Sequence, residues 1–336
     1  MALLVELSGE QLELASQEAW SVASTLSDGE VEVLFVDHPA IVLDAPDVRG
    51  RDLAFRLGLA HHVSDQAITG PLEVAAELAG SIDIGDARSF RVRVRKTVSS
   101  SEGVDAKLLE AKAGAIIQER TGVQVDLEGP DVEVRVLLAN RAHAGLLGGS
   151  VDRKALEARA VRYRPFSQPV SIHPKFARAM INLARVPLGD VILDPFCGTG
   201  GMLMEAALLG YLPWGTDFDP RMVEGSQENL SSMGLEAQLD VADVADALDA
   251  RDLRPGAIVT DPPYGRSTSV HGVDPEGVLE KMYAMAADAL PKESRLVVCL
   301  PSRDMLPSER GLFKLESIDS IRVHRSLTRH ICVLKK

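Results

Sequence analysis

The chain has 336 residues, 46% of them apolar and 25% charged, with a formal net charge of −13. Those figures describe an ordinary globular protein of about two domains. No apolar run approaches the roughly 18 residues of a membrane span, and the amino-terminal stretch lacks the basic flank of a secretory signal. Cys197, Cys299 and Cys332 show no C-x-x-C spacing, which argues against a zinc site or a disulfide framework and fits a reducing cytoplasm.

The charge is unevenly spread. Residues 1–85 hold 3 basic and 15 acidic side chains, residues 86–166 hold 15 and 11, and residues 167–336 hold 18 and 23. Only the middle segment is basic, and Arg88, Arg91, Arg93, Arg95 and Lys96 crowd its start. Screening confines repulsion to about 10 Å at ordinary salt, so a local basic patch can hold phosphates on an acidic protein. The competing reading is a charged strand edge that guards against aggregation.

In chain order, VEVLFV (31–36) and AIVLD (40–44) read as strands joined at His38-Pro39. RDLAFRLGLAHHV (51–63) reads as one helix with Leu53, Leu57 and Ala60 on its apolar face, which makes His61 and His62 helix-end residues. SFRVRVRKT (89–97) alternates Phe90, Val92 and Val94 with Arg91, Arg93 and Arg95, the pattern of a half-buried strand with a cationic outer face. A helix is expected over roughly 103–121 with Gly122 as its carboxyl-terminal cap. Strands at 123–128 and 132–139 flank Gly129-Pro130. Residues 151–168, basic and carrying Pro165, read as a helix followed by a linker.

From Ile172 onward helices and strands alternate. Pro174 suits the first turn of a helix. Strands are expected at 190–194, 211–217, 235–243, 256–261 and 294–300, with helices between them and a closing hairpin formed by 321–326 and 330–336. Such alternation implies an α/β fold with a mainly parallel sheet covered on both faces, the last hairpin adding an antiparallel strand.

Chemistry concentrates at the carboxyl ends of those strands. After the first, Asp194-Pro195-Phe196-Cys197-Gly198-Thr199-Gly200-Gly201 lets backbone approach a ligand closely, with a helix start behind it. A glycine turn also serves dehydrogenases, but the third glycine of G-x-G-x-x-G is replaced here by Leu203. Asp217 ends the next strand, where a carboxylate can accept both ribose hydroxyls of an adenosine; Asp219, before Pro220, is the better helix cap. Asp243 follows the third strand as a candidate acceptor for an adenine amine, with Asp240 and Asp246 as neighbouring choices. After the fourth strand comes Asp261-Pro262-Pro263-Tyr264. The Asp261 carboxylate and the Pro262 carbonyl can each accept one N–H of an exocyclic amine, turning its lone pair toward an incoming methyl group. Tyr264 offers a flat face for a base. A proline-rich turn alone accounts for the prolines but not for Asp261 and Tyr264. No metal is called for.

The first half, over roughly 61–150, resembles a THUMP domain through the arginine-studded strand, the G-A-I-I helix and VDLEGPDVEVRV. That resemblance implies a hold on the acceptor-stem end of tRNA, with Arg91, Arg93, Arg95 and Lys96 as candidate contacts, and a ferredoxin-like subdomain over 1–60 before it. The second half, 169–336, resembles the class I (Rossmann-like) methyltransferases. HPKFARAMINLA, DPFCGTGGMLMEA and DPPYGRS together resemble the archaeal THUMP-containing tRNA (guanine-N2) methyltransferases, especially those acting on guanosine 10. The resemblance implies S-adenosylmethionine as methyl donor and tRNA as partner. Asp194 would lie near the methionine amino group, and His173 in a methionine-side segment; a plain helix start explains His173 equally well. Gly198, Gly200, Asp217 and Asp243 complete the implied cofactor site. The strongly acidic first segment departs from what an RNA-holding surface needs. A small partner subunit is neither required nor excluded. Rival readings are an amino-methyltransferase acting on adenine in DNA or on rRNA, because D-P-P-Y serves both bases, and a non-catalytic RNA-binding protein with a relic cofactor fold.

Overall fold

The computed structural model describes residues 2–97, 103–168, 171–248, 254–263, 275–307, 311–324 and 327–336. The chain forms two compact units, Met1–Asp152 and Arg153–Lys336.

The first unit contains β1 (Ala2–Leu7), α1 (Leu12–Leu26), β2 (Glu32–Asp37), β3 (Ala40–Asp44), α2 (Gly50–Arg56), β4 (Ala60–Gly70), α3 (Ala75–Ser81), β5 (Ser89–Lys96), α4 (Ala106–Thr121), β6 (Gln124–Val125), β7 (Val132–Leu138) and β8 (Ala142–Ser150). All eight strands join one sheet in the order β2-β3-β1-β4-β8-β7-β5-β6. Its pairs are antiparallel except β5 with β7 and β5 with β6. Phe90 and Val92, the apolar set of β5, pack with Val134 and Val136 against Ala79, Ala113 and Ile117 of α3 and α4. The approach of those helices depends on Gly80, where a Cβ would overlap Ile116. Gly122 caps α4 in the left-handed conformation, φ 73°, which glycine adopts without strain.

Two expectations fail in this unit: the strand read over 123–128 is limited to Gln124–Val125, and a helix is cut short. The helix read over 51–63 stops at Arg56, and His61 and His62 lie in strand β4 rather than at a helix end. The cause is a long-range contact. The buried Glu18 carboxylate on α1 accepts the backbone N–H groups of Gly58 and Leu59 at 2.8 and 2.9 Å, and β4 then pairs with β1 and β8. A helical pattern continued through two residues whose amides are held elsewhere cannot form.

The second unit contains α5 (Arg153–Ala158), α6 (Pro174–Leu183), β9 (Val191–Asp194), α7 (Gly201–Leu208), β10 (Leu212–Asp217), α8 (Pro220–Ser232), β11 (Gln238–Val241), β12 (Ala257–Thr260), α9 (Pro275–Ala289), β13 (Arg295–Leu300), β14 (Lys314–His324) and β15 (Leu327–Lys335). The sheet order is β11-β10-β9-β12-β13-β15-β14, parallel through β13. β15 runs antiparallel between β13 and β14, so the closing hairpin contributes two strands, both longer than the sequence predicts. Helix α9 covers the sheet face that carries Leu193, Ile258, Leu296 and Val298. The unit is a Rossmann-like α/β fold. Its chain leaves β9 toward β10 on one side and returns to β12 on the other. Ligands of such sheets bind outside the carboxyl ends of the strands at that reversal.

Candidate active site

The reversal places three aspartates at the ends of adjoining strands. Asp194 ends β9, Asp217 ends β10 beside it, and Asp261 follows Thr260 at the end of β12 on the other side. Asp194 is 3% exposed. Its Oδ1 accepts the Thr260 hydroxyl at 2.6 Å and the Phe196 N–H at 3.2 Å. Burial nevertheless pushes its carboxyl up to about 7, and the charges of Asp261 and Asp217 add to the rise. Asp217, 8% exposed, accepts Gly198 N–H on Oδ2 and Asp219 N–H on Oδ1, each at 3.0 Å. Burial raises its carboxyl as well, against the pull of those two amides. Each Asp217 oxygen keeps a second lone pair for a hydroxyl.

The glycine turn supports close approach of a ligand. Gly198 has φ 49°, and a Cβ there would meet only the Phe196 carbonyl at 3.9 Å. Gly200, at φ 76°, is the N-cap of α7, and a Cβ on it would overlap the Ser226 hydroxyl. Neither position tolerates a side chain easily, one for its backbone conformation and the other for space as well. Asp219 caps α8 by accepting the Arg221 N–H at 3.0 Å, the role the sequence expects of it.

Of the three acids near the end of β11, Asp240 accepts the indole N–H of buried Trp214 at 3.0 Å and belongs to the packing. Asp243 is exposed, accepts the Ala245 N–H at 3.0 Å, and lies 3.6 Å from Lys281 Nζ. Asp246 is exposed on the same turn. His173 is the N-cap of α6, its Nδ1 accepting the Lys175 N–H at 3.3 Å, while its Nε2 lies 3.1 Å from the Glu157 carboxylate.

Asp261 has a partner that no motif announces. Its Oδ2 accepts the Arg329 guanidinium at 2.8 Å, and Arg329 is 3% exposed on β15. Alternation along β15 gives no signal for it, because Cys332 and Leu334 are as buried as Ile331 and Val333. Pro262 is buried beside Asp261. Tyr264 lies outside the described residues.

The arginine row of β5 belongs to the first unit. Arg91 bonds Glu133. Arg93 Nη1 lies 3.8 Å from Glu110, and Arg95 Nη1 lies 3.5 Å from Glu6. Arg135 ties Glu6 to Glu133, and Lys96 donates to the Val104 carbonyl at 3.0 Å. Glu6 stands on β1, three strands away from β7, so the sheet curls to bring these groups together. Burial by itself would raise the Glu133 carboxyl, but the hydrogen bonds of Arg91 and Arg135 more than offset it and hold it low. Each of the four candidate cations therefore has an acceptor within its own unit. β5 is paired on both sides only at Phe90, and Glu110 covers its outer edge by accepting the Val94 N–H at 2.9 Å.

A family model for the RMKL-like methyltransferase domain matches residues 161–331. The tRNA (guanine(10)-N2)-dimethyltransferase of Methanothermobacter thermautotrophicus is 39% identical over the whole of both chains. The protein of the same name from Pyrococcus abyssi is 33% identical over 98% of each. Among solved structures, TrmN from Thermus thermophilus aligns over 100% of this chain and 99% of its own with a TM-score of 0.54 at 23% identity, a likeness of fold. The chain belongs to the tRNA (guanine(10)-N2)-dimethyltransferase family, and its second unit carries that family's RMKL-like methyltransferase domain.

Proposed function

We propose that the protein transfers methyl groups from S-adenosylmethionine to the exocyclic N2 amine of a tRNA guanosine, at position 10, twice in succession. The observation that carries this reading is the trio of aspartates on adjoining strands around the glycine turn. Burial and the charges of Asp261 and Asp217 raise the proton affinity of Asp194, so the site is one that a cationic ligand relieves, and the donor brings both an ammonium and a sulfonium. Bound there, it supplies a methyl group on positively charged sulfur. The residues present fit it. Asp194 faces the ammonium, Asp217 the ribose hydroxyls, and Gly198 and Gly200 give room for backbone contact. Asp243 takes the adenine amine. His173, already engaged as a helix cap, lines the methionine side.

On the acceptor side, Asp261 and the Pro262 carbonyl take the two N–H bonds of the target amine. In the first transfer, holding both hydrogens favours a pyramidal nitrogen whose lone pair points along the line of attack, and the proton the nitrogen gives up passes to the Asp261 carboxylate; in the second transfer a single N–H remains to be held and then released in the same way. Arg329 fixes the Asp261 carboxylate through Oδ2, so its orientation is set before substrate arrives. Tyr264 stacks on the base. The first unit supplies the tRNA contact as a THUMP-like module through the face of Arg91, Arg93, Arg95 and Lys96. Among the described residues no helix is long and apolar enough to cross a membrane; the reading places the enzyme with its tRNA in the cytoplasm.

The test is incubation of unmodified tRNA with labelled donor, followed by nucleoside analysis. Labelled N2-methyl- and N2,N2-dimethylguanosine are expected. Label in N6-methyladenine with a DNA substrate, and none in tRNA, would favour the adenine-directed rival that D-P-P-Y also fits.

A further inference from the structure

The basic segment ahead of α6, read from the sequence as a linker, is packed against the glycine turn. Phe166 N–H donates to Asn229 Oδ1 at 2.9 Å, and Asn229 Nδ2 donates to the carbonyls of Phe166 and Thr199 at 2.8 and 3.0 Å. This clamp seats Arg164. Its Nε donates to the Arg159 carbonyl at 3.0 Å and its Nη1 to the Thr199 hydroxyl at 3.2 Å. A Cβ on Gly201 would lie 3.1 Å from the same Nη1. The guanidinium therefore stands over the first turn of α7, on the Gly201 side of the loop whose Gly198 side is tied to Asp217.

The charges around Arg164 do not neutralise it. Among the described residues, the carboxylate that acts on Arg164 is Glu205, which is 1% exposed and already accepts Arg159 at 2.7 and 3.0 Å and Arg178 at 2.8 Å. Burial pushes the Arg164 guanidinium down to about 10 despite the pull of Glu205, and the charge of Arg159 adds to the fall. A cation half-withdrawn from water, beside two other cations and the positive end of a helix, is electrostatically unfavourable unless an anion completes the site. Thr199, whose hydroxyl also lies 3.0 Å from Ser171 Oγ, holds the group in place.

We infer that Arg164 is the residue that receives the α-carboxylate of the methyl donor, opposite Asp194 on its ammonium. The inference rests on the donor reading above. It assigns to a segment outside the glycine and aspartate motifs the recognition of an amino-acid carboxylate. The three features of the donor's ends are then answered by three separate elements: β10 for the ribose, β9 for the ammonium, and the segment before α6 for the carboxylate.

The test is calorimetric binding to the full chain of two probes that differ only in that group: S-adenosylhomocysteine and its decarboxylated analogue. Wild type should prefer the carboxylate-bearing probe by about tenfold to a hundredfold, the range of a hydrogen bond to a charged group. Arg164→Met should erase that preference by weakening S-adenosylhomocysteine alone, leaving affinity for the analogue unchanged. Arg164→Lys, which keeps the charge, should retain part of it. Equal losses for both probes, or no loss for either, would overturn the assignment of Arg164. Should Arg164→Met not fold, an unaltered preference in Arg164→Lys and in Thr199→Val together would overturn it. Failure of wild type to bind either probe would instead bring down the donor reading, and this inference with it.

Discussion

Asp194→Asn separates the energetic burden of a buried acid from its use. The carboxyl group is nearly inaccessible, and burial with two neighbouring aspartates moves it from 3.8 to about 7. At 1.36 kcal/mol per pH unit, that displacement amounts to roughly 4 kcal/mol of lost stability once the folded group is ionised. The sign follows from proton counting. Between about pH 4 and pH 7 the folded chain still holds a proton that the unfolded chain has released. Stability contributed by this group is therefore full below about pH 4, falls as pH rises through the window, and is flat above about pH 7. Asparagine keeps the oxygen that accepts Thr260 and Phe196 and has no charge to bury. The ligand-free variant should be more stable than wild type near pH 8, by up to about 4 kcal/mol, and nearly equal to it near pH 4. Meanwhile S-adenosylhomocysteine affinity should fall by about tenfold or more, since the ammonium loses its anion. Urea unfolding followed at Trp214 in a Trp20→Phe background reports on the second unit alone. A stability difference that does not change with pH, or unaltered ligand affinity, would refute the reasoning.

Asp261→Ala should abolish methyl transfer while leaving S-adenosylhomocysteine affinity within about threefold, read by calorimetry. Arg329→Met should lower the thermal midpoint, because an ion pair broken at a buried site costs about 3–5 kcal/mol, and Arg329→Lys should recover part of both stability and turnover. Gly225→Ala should destabilise the second unit by about 1–3 kcal/mol, since the added Cβ would overlap the Phe166 ring; limited proteolysis near Phe166 would show the release. Combined Arg91→Ala, Arg93→Ala and Arg95→Ala should lower tRNA affinity and shrink the slope of log affinity against log salt by about 2 to 3. It should also reduce thermal stability, since buried Glu6 and Glu133 lose partners. An unchanged slope would put the RNA contact elsewhere.

Local rules fixed much of this protein in its sequence. Capping by Gly122, Pro174 at the start of α6, Asp219 and Pro220 at the start of α8, and the alternation of β5 all act within about four residues, and all are found as expected. The order of strands and helices in the second unit was legible for the same reason, and with it the placing of Asp194, Asp217 and Asp261 at strand ends. What depended on tertiary structure was which distant group meets which. Glu18 ends α2 from 40 residues away, Glu6 meets Arg135 across 129, and Arg329 reaches Asp261 across 68. Periodicity says that a side chain faces inward, but only strand register and sheet curvature decide what it faces. Ion pairs act over a few ångströms, so their identity is settled only when those strands have come together.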